Sequence, residues 1–412
     1  MKIIVLSWIV ILSIQLSAQN ISEWRGPDRT GVYSEIGLLK QWPEEGPEML
    51  WAYEDLPKGY SSVSLGNGLI YCTGKVDTMD AVIAIDKAGK FKWKTAYGRA
   101  WDATYPESRS TPTLENDRLY VSSGSGDVAC LNALDGSIIW KVEVSKTLNG
   151  TFGRWGLAES LLIYEDKVFF TPGGKETTMI ALDKKTGDLI WKSESIDDAP
   201  SYTSPLLINH HNKKIIVNTT ASYVIGVLPE NGKILWKFNF KSYSNEKGWN
   251  NQTNTPLYYN GKLYVTSGYD HKGVMLELSK NGNSVSFVWS DEVLDVHHGG
   301  VVKVGDYIYG ANWMGNRMGH WICLDWESGE MMYNEEWINK GSIISAEGML
   351  YCYEEKTGNI ALVKADPKEF KIISSFKINL GNGPHWSHLV IKDGILYVRH
   401  GNALMAFDIK EK

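Results

Sequence analysis

Three short segments of the chain concentrate side chains that exchange protons near neutral pH. The first, Asp295-Val-His-His-Gly-Gly300, contains His297 and His298. The second, Pro384-His-Trp-Ser-His388, contains His385, Trp386 and His388, and the third is Arg399-His400. A neutral imidazole accepts a proton as a base, and the resulting cation returns it as an acid. Tyr202 adds a phenol that can protonate a leaving oxygen. The segments indicate acid–base chemistry, and the catalytic candidates are His297, His298, His388 and Tyr202.

Two arginines could hold an anion beside these groups. Arg109 opens the stretch Arg109-Ser-Thr-Pro-Thr113, and Arg154 directly precedes Trp155. A guanidinium pairs through two N–H groups with a carboxylate or a sulfate. Flat aromatic rings beside polar groups suit sugar rings. The candidate substrate-binding residues are Arg109, Arg154, Trp155, Asn254, His385, Trp386 and His400.

The overall charge balance confines any anion site to a local cluster. The 412 residues include 42 Lys and Arg against 48 Asp and Glu, which gives a net charge of −6. Such a chain does not present a broad basic surface, so nucleic acid is excluded as a partner. The 17 Trp and 21 Tyr supply too much apolar area for a disordered chain.

The sequence contains no motif for a metal or a redox cofactor. The histidines lack the spacing of a zinc or calcium site, and no partner carboxylates accompany them. Cys72, Cys130, Cys323 and Cys352 lie far apart in strand-like runs, without a CxxC or an adjacent pair. We therefore predict four buried free thiols, no disulfide and no bound cofactor; a divalent metal, zinc or calcium, stays open as an alternative that no motif supports.

Two repeated pieces show which elements must position these side chains. One is a polar turn followed by alternating apolar residues, in NGLIYC (67–72), NDRLYV (116–121), EDKVFF (165–170), NKKIIV (212–217), NGKLYV (260–265), GDYIYG (305–310), EGMLYC (347–352) and DGILYV (393–398). The other is an apolar hairpin with a glycine four residues before an aromatic, as in Gly136 with Trp140 and Gly187 with Trp191. The eight copies lie 42 to 49 residues apart, which leaves room for four short strands each.

This period predicts an all-β, eight-bladed β-propeller with four-stranded blades, formed by residues 20–412 as a single domain. The last copy ends at LMAFDI (404–409) without a closing strand, whereas MLWAY (49–53) is a strand without a hairpin. We expect the N-terminal strand to complete the last blade, because ring closure removes an exposed sheet edge.

The repeat also assigns side chains to faces of the propeller. If the innermost strand of each blade comes first, seven of the nine histidines fall at loops or strand ends on one face. His210 and His211 fall on the other face, where we expect a solvated turn. Because side chains alternate along a strand, at most one of His297 and His298 is expected to point into the channel. Few carboxylates occupy the starts of the innermost strands, so we expect a cationic funnel.

These repeats resemble the pyrroloquinoline-quinone-like (PQQ-like, or quinoprotein-dehydrogenase-like) β-propeller repeat family. The segment 181–191 is similar to its tryptophan-docking repeat, and Trp24-Arg-Gly-Pro27 resembles the opening of secreted bacterial members. The resemblance covers nearly the whole mature chain, and the family includes quinone-dependent dehydrogenases and outer-membrane assembly scaffolds. The adjacent cysteines and the calcium ligands that the resemblance implies for a dehydrogenase are not recognisable in this sequence.

The N-terminus indicates export. Lys2, an apolar stretch over 3–16 and Ser17-Ala-Gln19 form the pattern of a secretory signal peptide at residues 1–19. No cysteine follows for lipid attachment, and no later segment has the roughly 18 consecutive apolar residues of a membrane span. We expect a soluble monomer that is periplasmic or secreted, and not a lipoprotein.

Three functions fit these observations. The first is β-elimination on an anionic, uronate-containing oligosaccharide, with or without sulfate, by a lyase or a dehydratase. Arg109 and Arg154 would hold the carboxylate, His297 or His298 would remove the neighbouring proton, and Tyr202 or His388 would protonate the leaving oxygen. The second is a periplasmic binding or assembly scaffold. The third is a PQQ-dependent alcohol dehydrogenase.

Overall fold

Eight four-stranded antiparallel blades form a ring in the structure, a computed structural model that describes residues 21–244, 251–316 and 318–411. Blade 1 consists of strands Ser64–Gly66, Leu69–Val76, Met79–Asp86 and Phe91–Arg99, and blade 2 of Thr113–Glu115, Arg118–Ser122, Val128–Asn132 and Ile138–Val142. Blade 3 consists of Leu162–Tyr164, Lys167–Phe170, Ile180–Asp183 and Leu189–Lys192, and blade 4 of Leu206–His210, Lys213–Thr219, Tyr223–Val227 and Ile234–Asn239. Blade 5 consists of Leu257–Tyr259, Lys262–Val265, Gly273–Leu278 and Val285–Asp291. Blade 6 consists of Val296–Val304, Tyr307–Asn312, Trp321–Asp325 and Met331–Glu335, and blade 7 of Gly341–Ala346, Met349–Glu354, Asn359–Lys364 and Ile372–Lys377. Blade 8 is Val390–Lys392, Ile395–His400 and Ala403–Asp408 with Glu48–Tyr53. The predicted all-β, eight-bladed β-propeller is confirmed.

At most blade junctions a repeated tryptophan packs on a glycine turn of the next blade. The Trp140 indole donates its Nε1–H to the Lys184 carbonyl at 3.1 Å, and its ring lies against Gly187. A Cβ on Gly187 would sit 2.8 Å from that ring, so the turn needs a glycine. Trp191 repeats the arrangement with Gly232 in the next blade. The fixed interval between glycine and aromatic therefore reflects packing between blades.

The N-terminal strand closes the ring as expected. Glu48–Tyr53 pairs antiparallel with Ala403–Asp408, and Trp51 donates to the Lys87 carbonyl of blade 1 at 2.9 Å. The last blade is thereby held to the first by the same tryptophan contact that joins blade 2 to blade 3. The closing strand pairs with the edge of Ala403–Asp408 and is itself the outermost strand of blade 8.

An N-terminal segment lies inside the ring, which the repeat did not predict. Ile21–Ser22 pairs with the innermost strand of blade 2, and Val32–Tyr33 pairs in parallel with the innermost strand of blade 7. The 3₁₀ turn Pro27–Arg29 lies between them. Arg29 donates to the carbonyls of Ser160 and Leu161 in blade 3, at 2.8 and 2.7 Å. The segment spans the channel between blades 2 and 7 and fixes its own position through blade 3.

The remaining elements bear on three sequence predictions. Helical structure is limited to α-helix Val144–Thr147 and to 3₁₀ turns such as Lys241–Tyr243, and within the described ranges no helix is long and apolar enough to cross a membrane. The four cysteines are free and buried, as predicted. His211 is exposed, but the solvated turn is wrong for His210, which is buried and contacts the Tyr258 hydroxyl and the Ser279 carbonyl. The signal peptide predicted at residues 1–19 lies outside the described residues.

Candidate functional site

A central cavity of about 810 Å³ is lined by residues from all eight blades. Among the residues that the structure describes, its charged lining consists of three basic side chains and one carboxylate: Arg109, Arg154, Lys356 and Glu355. Its aromatic lining is unusually large: Trp24, Tyr60, Tyr105, Trp155, Tyr202, Tyr269, Trp313 and Trp386. The excess of basic groups agrees with the cationic funnel expected from the strand starts. The cavity therefore combines anion-binding groups with flat apolar surfaces.

Both His297 and His298 face this cavity, contrary to the expectation from strand alternation. The ladder of blade 6 is irregular between Val296 and Val301, so the residues between them do not follow the alternation of a regular strand. Gly300 has φ +72°, and a Cβ there would lie 1.9 Å from the Arg25 guanidinium. The adjacent glycines let the chain bulge, and the bulge turns two consecutive imidazoles to the same side.

Arg25, from the segment inside the ring, supports this bulge from below. It donates to the Val301 carbonyl at 2.6 Å, to the Gly299 carbonyl at 3.2 Å and to the Ile343 carbonyl at 3.3 Å. The guanidinium is fully buried, and burial lowers its pKa to about 10, so the side chain stays cationic at neutral pH. A permanent charge held by carbonyls fixes the backbone that carries the two histidines.

Glu355 lies between the two imidazoles. One carboxylate oxygen, Oε2, is 3.7 Å from His297 Nδ1 and 3.6 Å from His298 Nε2. The other, Oε1, accepts from the Lys340 ammonium at 2.6 Å. Lys340 is 1% exposed and Glu355 is 7% exposed at the side chain, so this charge pair is largely removed from water. Two imidazoles, a carboxylate and an ammonium thus meet in one buried cluster.

The two histidines are neutral in this environment. Burial lowers the pKa of each imidazole to about 3, and for His298 the neighbouring His297 adds to the effect. His297 Nδ1 and His298 Nε2 are buried without a hydrogen-bond partner. Each imidazole therefore has one ring nitrogen on its Glu355 side that has no hydrogen-bond partner within the protein.

Tyr269 hydrogen-bonds the far side of His297. Its hydroxyl lies 2.9 Å from His297 Nε2, and its ring also contacts Trp155 and Trp313, both of which line the cavity. Burial raises the pKa of Tyr269, so the phenol keeps its proton at neutral pH. Tyr269 links the histidine cluster to the aromatic wall.

The structure brings together most of the predicted anion-binding and proton-donating residues. Arg109 donates to the carbonyls of Trp155 and Tyr105, which uses two of its five N–H groups. The Arg154 guanidinium lies 5.9 Å from the centre of the Trp155 ring. Tyr202 accepts the Trp155 amide N–H at 3.2 Å and retains its own hydroxyl proton for donation. These side chains line the cavity together with Trp386.

His388 lines the cavity, but its hydrogen bonds favour a positioning role over proton delivery. Its Nδ1 accepts from Arg25 at 3.1 Å, so its Nε2 carries the proton and donates to the His298 carbonyl at 2.9 Å. Burial, followed by the Arg25 charge, lowers its pKa well below the usual value. A neutral imidazole with both nitrogens occupied has no proton to deliver, and it fixes the backbone of His298 instead.

Three predicted substrate-binding residues lie away from the cavity lining. His385 and His400 stack on each other with ring centres 3.6 Å apart; His385 contacts the Tyr353 hydroxyl, and His400 contacts two backbone carbonyls. Asn254 is buried, donates to the Val296 carbonyl at 2.6 Å and accepts the Gly300 amide at 3.0 Å. The polar atoms of these three residues hold loops and the blade 6 bulge, so the structure does not bring them together with the cavity residues.

Sequence reasoning missed Glu355 and Tyr269. Each follows the second strand of its blade, by one residue in blade 7 and by four in blade 5. The rule that placed the histidines on this face also covers such positions, so applying it to carboxylates and phenols would have found both. Glu355 also corrects the prediction that no carboxylate accompanies the histidines.

The cluster resembles a metal-binding set more than a quinone site. A carboxylate oxygen and two imidazole nitrogens, one each from Glu355, His297 and His298, lie within 4.8 Å of one another. None of the four cysteines lines the cavity, so the cysteine stacking that a quinone cofactor would need has no counterpart in the described part of the site. The lining residues that the structure describes therefore do not fit a quinone cofactor.

Comparisons with known proteins give a family match and several partial relatives. A family model of PQQ-like repeats, described as outer membrane protein assembly factor BamB, matches residues 78–335. Quinohemoprotein alcohol dehydrogenase ADH IIB of Pseudomonas putida is 29% identical over 154 residues, which are 34% of this chain and 22% of that protein. Polyvinylalcohol dehydrogenase of a Pseudomonas species is 30% identical over 118 residues, 28% of this chain and 18% of that protein. The chain thus spans about a fifth of the length of these relatives.

Solved structures share the fold at low sequence identity. BamB from Moraxella catarrhalis superposes with a TM-score of 0.63 at 12% identity, over 88% of this chain and 99% of that one. Quinohemoprotein alcohol dehydrogenase from Comamonas testosteroni superposes with a TM-score of 0.63 at 11% identity, over 93% of this chain and 79% of that one. At such identities the likeness establishes the propeller and leaves the chemistry to the side chains of the site.

Proposed function

Because the chain belongs to the PQQ-like β-propeller family represented by the BamB model, a family with more than one role, we propose its function from the site itself. We propose that it is an exported carbohydrate-active enzyme that performs β-elimination on anionic, uronate-containing oligosaccharides. The observation that carries the proposal is the cluster of His297, His298, Glu355 and Lys340 at a cavity with basic and aromatic walls.

The cost of burying this cluster supports a role in chemistry. Removing a carboxylate and an ammonium from water carries a desolvation penalty of several kcal/mol per ion, which their attraction only partly offsets. Two ring nitrogens without partners add to the cost. A fold that needed only a filled channel would be more stable with apolar side chains here, so the polar set indicates binding or catalysis.

Anion binding at the wall supplies the first requirement of elimination. Arg109 and Arg154 come from the loops that precede blades 2 and 3, so they can approach an acidic group from two directions. Neutralising a uronate carboxylate stabilises negative charge on the carbon beside it as the proton leaves. Trp155 and Trp386, which also line the cavity, offer faces for sugar rings.

The cluster supplies the proton acceptor and the wall supplies the donor. The C–H bond on the carbon next to the carboxylate breaks, and its electron pair forms a C=C bond to the neighbouring ring carbon. The C–O bond on that neighbouring carbon breaks. The proton goes to the His297–His298–Glu355 cluster, where the Glu355 carboxylate stabilises the imidazolium that forms at His298 and so opposes the burial that lowers its pKa. Tyr202 or Tyr269 protonates the leaving oxygen. A glycosidic leaving oxygen makes the protein a lyase, and a hydroxyl makes it a dehydratase.

A periplasmic binding or assembly scaffold is the second candidate, and the outer strands favour it. The residues before each docking aromatic are partly exposed and apolar, including Leu189 at 47%, Ile190 at 41% and Met331 at 47%. The family model is described by an outer membrane assembly factor. A scaffold would use this rim and would not need the buried cluster.

The experiment that separates the candidates is product detection. The full chain, without its signal segment, is incubated with a panel of uronate-containing oligosaccharides, and the ultraviolet band of unsaturated uronates is followed. Growth of the band with time supports the enzyme, and mass analysis of the product distinguishes loss of water from chain cleavage. No band with any member of the panel, together with capture of an outer-membrane protein through the outer strands, would favour the scaffold.

A further inference from the structure

We propose that His297, His298 and Glu355 form a mononuclear binding site for a divalent transition-metal cation, with Zn²⁺ as the cation of best fit. His297 would coordinate through Nδ1, His298 through Nε2 and Glu355 through Oε2. The site itself stands on geometry and does not depend on the reaction proposed above. Its role in elimination, described below, rests on the proposed function.

The separations of the three donor atoms match a tetrahedral ion closely. Zinc binds imidazole nitrogen and carboxylate oxygen at about 2.0–2.2 Å, which places neighbouring ligands of a tetrahedron roughly 3.3–3.5 Å apart. The carboxylate oxygen lies 3.7 Å from the His297 nitrogen and 3.6 Å from the His298 nitrogen. All three donors lie within 4.8 Å of one another. Small side-chain rotations suffice to bring them onto one ion.

Both ring nitrogens are available as ligands. Neither His297 Nδ1 nor His298 Nε2 has a hydrogen-bond partner, although both are buried. Two unsatisfied nitrogens that converge on one carboxylate oxygen are unexplained by the fold and explained by a cation between them.

The surrounding residues hold the donors in the coordinating orientation. The Tyr269 hydroxyl occupies His297 Nε2, which leaves Nδ1 as the free nitrogen, as partners of metal-bound imidazoles commonly do. His388 fixes the backbone of His298 through its carbonyl. Lys340 occupies Glu355 Oε1 and also donates to the Gly315 carbonyl, so only Oε2 is left for a cation.

The donor set selects the class of cation. Calcium and magnesium prefer six or more oxygen ligands, whereas two imidazoles and one carboxylate suit zinc and its neighbours in the first transition row. Three protein ligands leave a fourth position open to the cavity, as in catalytic zinc sites. Glu355 and Lys340 cancel in charge, so a bound ion adds two positive charges, and the fourth ligand is expected to be an anion or hydroxide.

A bound ion would refine the elimination in one respect. A zinc-bound water loses its proton near neutral pH, so a metal-bound hydroxide would become the proton acceptor in place of a free imidazole. The acidic group of the sugar would approach between the ion and the two arginines. The cluster would then activate the water that accepts the proton, and the two arginines would bind the acidic group of the sugar.

Zinc titration of the metal-free protein tests the site directly. The full mature chain is stripped with a chelator, dialysed and titrated with Zn²⁺ by calorimetry in the absence of sugar, and Co²⁺ is added separately as a visible-spectrum probe of tetrahedral geometry. We expect one Zn²⁺ per chain and intense tetrahedral Co²⁺ bands. His298→Ala and Glu355→Gln should weaken binding more than about 100-fold, and Tyr269→Phe should weaken it by about 10- to 100-fold. His211→Ala, at an exposed histidine, is the matched control and should bind as the unmodified protein does.

Thermal melting distinguishes a variant that has lost zinc binding from one that has failed to fold. Because a ligand stabilises the folded state that binds it, Zn²⁺ should raise the Tm of the unmodified protein and of His211→Ala, but not that of His298→Ala. Absence of stoichiometric binding, or equal affinity in all four variants, would overturn the site. Elimination by a protein shown to hold no metal would overturn the assignment of a metal-bound hydroxide, while leaving the proposed function intact.

Discussion

The Tyr269 hydroxyl lies 2.9 Å from Nε2 of His297, and this contact joins blade 5 to the bulged strand of blade 6. The hydrogen bond determines which nitrogen of His297 faces Glu355. It also connects the cluster to the aromatic wall through Trp155 and Trp313. A residue four positions past the end of a strand thereby sets the chemistry of a histidine 28 residues further along the chain.

Tyr269→Phe tests this relationship. The change keeps the ring and its packing but removes the hydroxyl, so we expect turnover to fall by about 10- to 100-fold with little change in KM. Steady-state kinetics on an identified substrate gives both constants, and Tm should stay close to that of the unmodified protein. A large rise in KM with unchanged turnover would show that Tyr269 acts in binding and not on His297.

Arg109→Ala and Arg154→Ala test the anion-binding wall. A charge-assisted hydrogen bond contributes about 1.5–3 kcal/mol, so each loss should raise KM roughly 10- to 100-fold and leave turnover less affected. Arg118→Ala is the matched control, because Arg118 lies at the turn between the first two strands of blade 2, on the opposite face. Equal kinetics for all three variants would contradict the placement of the acidic group.

The periodic parts of the fold could be predicted from the sequence because each copy repeats the same packing requirement. Gly187 under Trp140 recurs in the neighbouring blades, so the number of blades and the closing strand followed from counting. The site lies where the repeat is broken. Two consecutive histidines face one cavity only because the strand bulges at Gly299 and Gly300, and alternation predicted otherwise.

Adjacent carboxylates show the same limit. Glu354 turns back to accept the amide N–H groups of Lys356, Thr357 and Asn359, whereas Glu355 reaches the histidines. The two residues are identical in type and consecutive in sequence, so only the course of the backbone decides which one enters the cavity. Arg25 was likewise visible only as part of a family motif, and its burial beneath the bulge required the ring to be assembled.

Gly300→Ala tests whether the bulge depends on close packing against Arg25. Gly300 has φ +72°, and a Cβ would lie 1.9 Å from the Arg25 guanidinium, so strain and overlap together should cost about 2–5 kcal/mol of unfolding free energy. Gly305→Ala, with φ +57° and nothing within 4 Å, should cost only about 1–2 kcal/mol. Chemical denaturation of both variants measures the difference. Equal costs would mean that Arg25 can move aside.

Glu159→Gln tests the effect of pH on stability. Burial raises the pKa of Glu159 to about 8 from an ordinary 4.5, and the Arg29 charge opposes this only in part. Between these values the folded state binds more protons than the unfolded state, so the free energy of unfolding falls as pH rises from about 4.5 to 8 and levels off above. The amide removes this contribution. We expect Tm of the variant to fall less steeply over that window, and parallel curves would contradict the buried protonated carboxyl.

We propose that the buried histidine–carboxylate cluster carries out elimination on an anionic sugar. The most direct measurement is the rate at which the unsaturated-uronate band appears with the unmodified protein, His298→Ala, Glu355→Gln and His211→Ala, all at matched folded concentration. We expect the rates of His298→Ala and Glu355→Gln to be lower than that of the unmodified protein by at least about 100-fold, and the rate of His211→Ala to be unchanged. Full rates in both cluster variants on a substrate that the unmodified protein converts would contradict it.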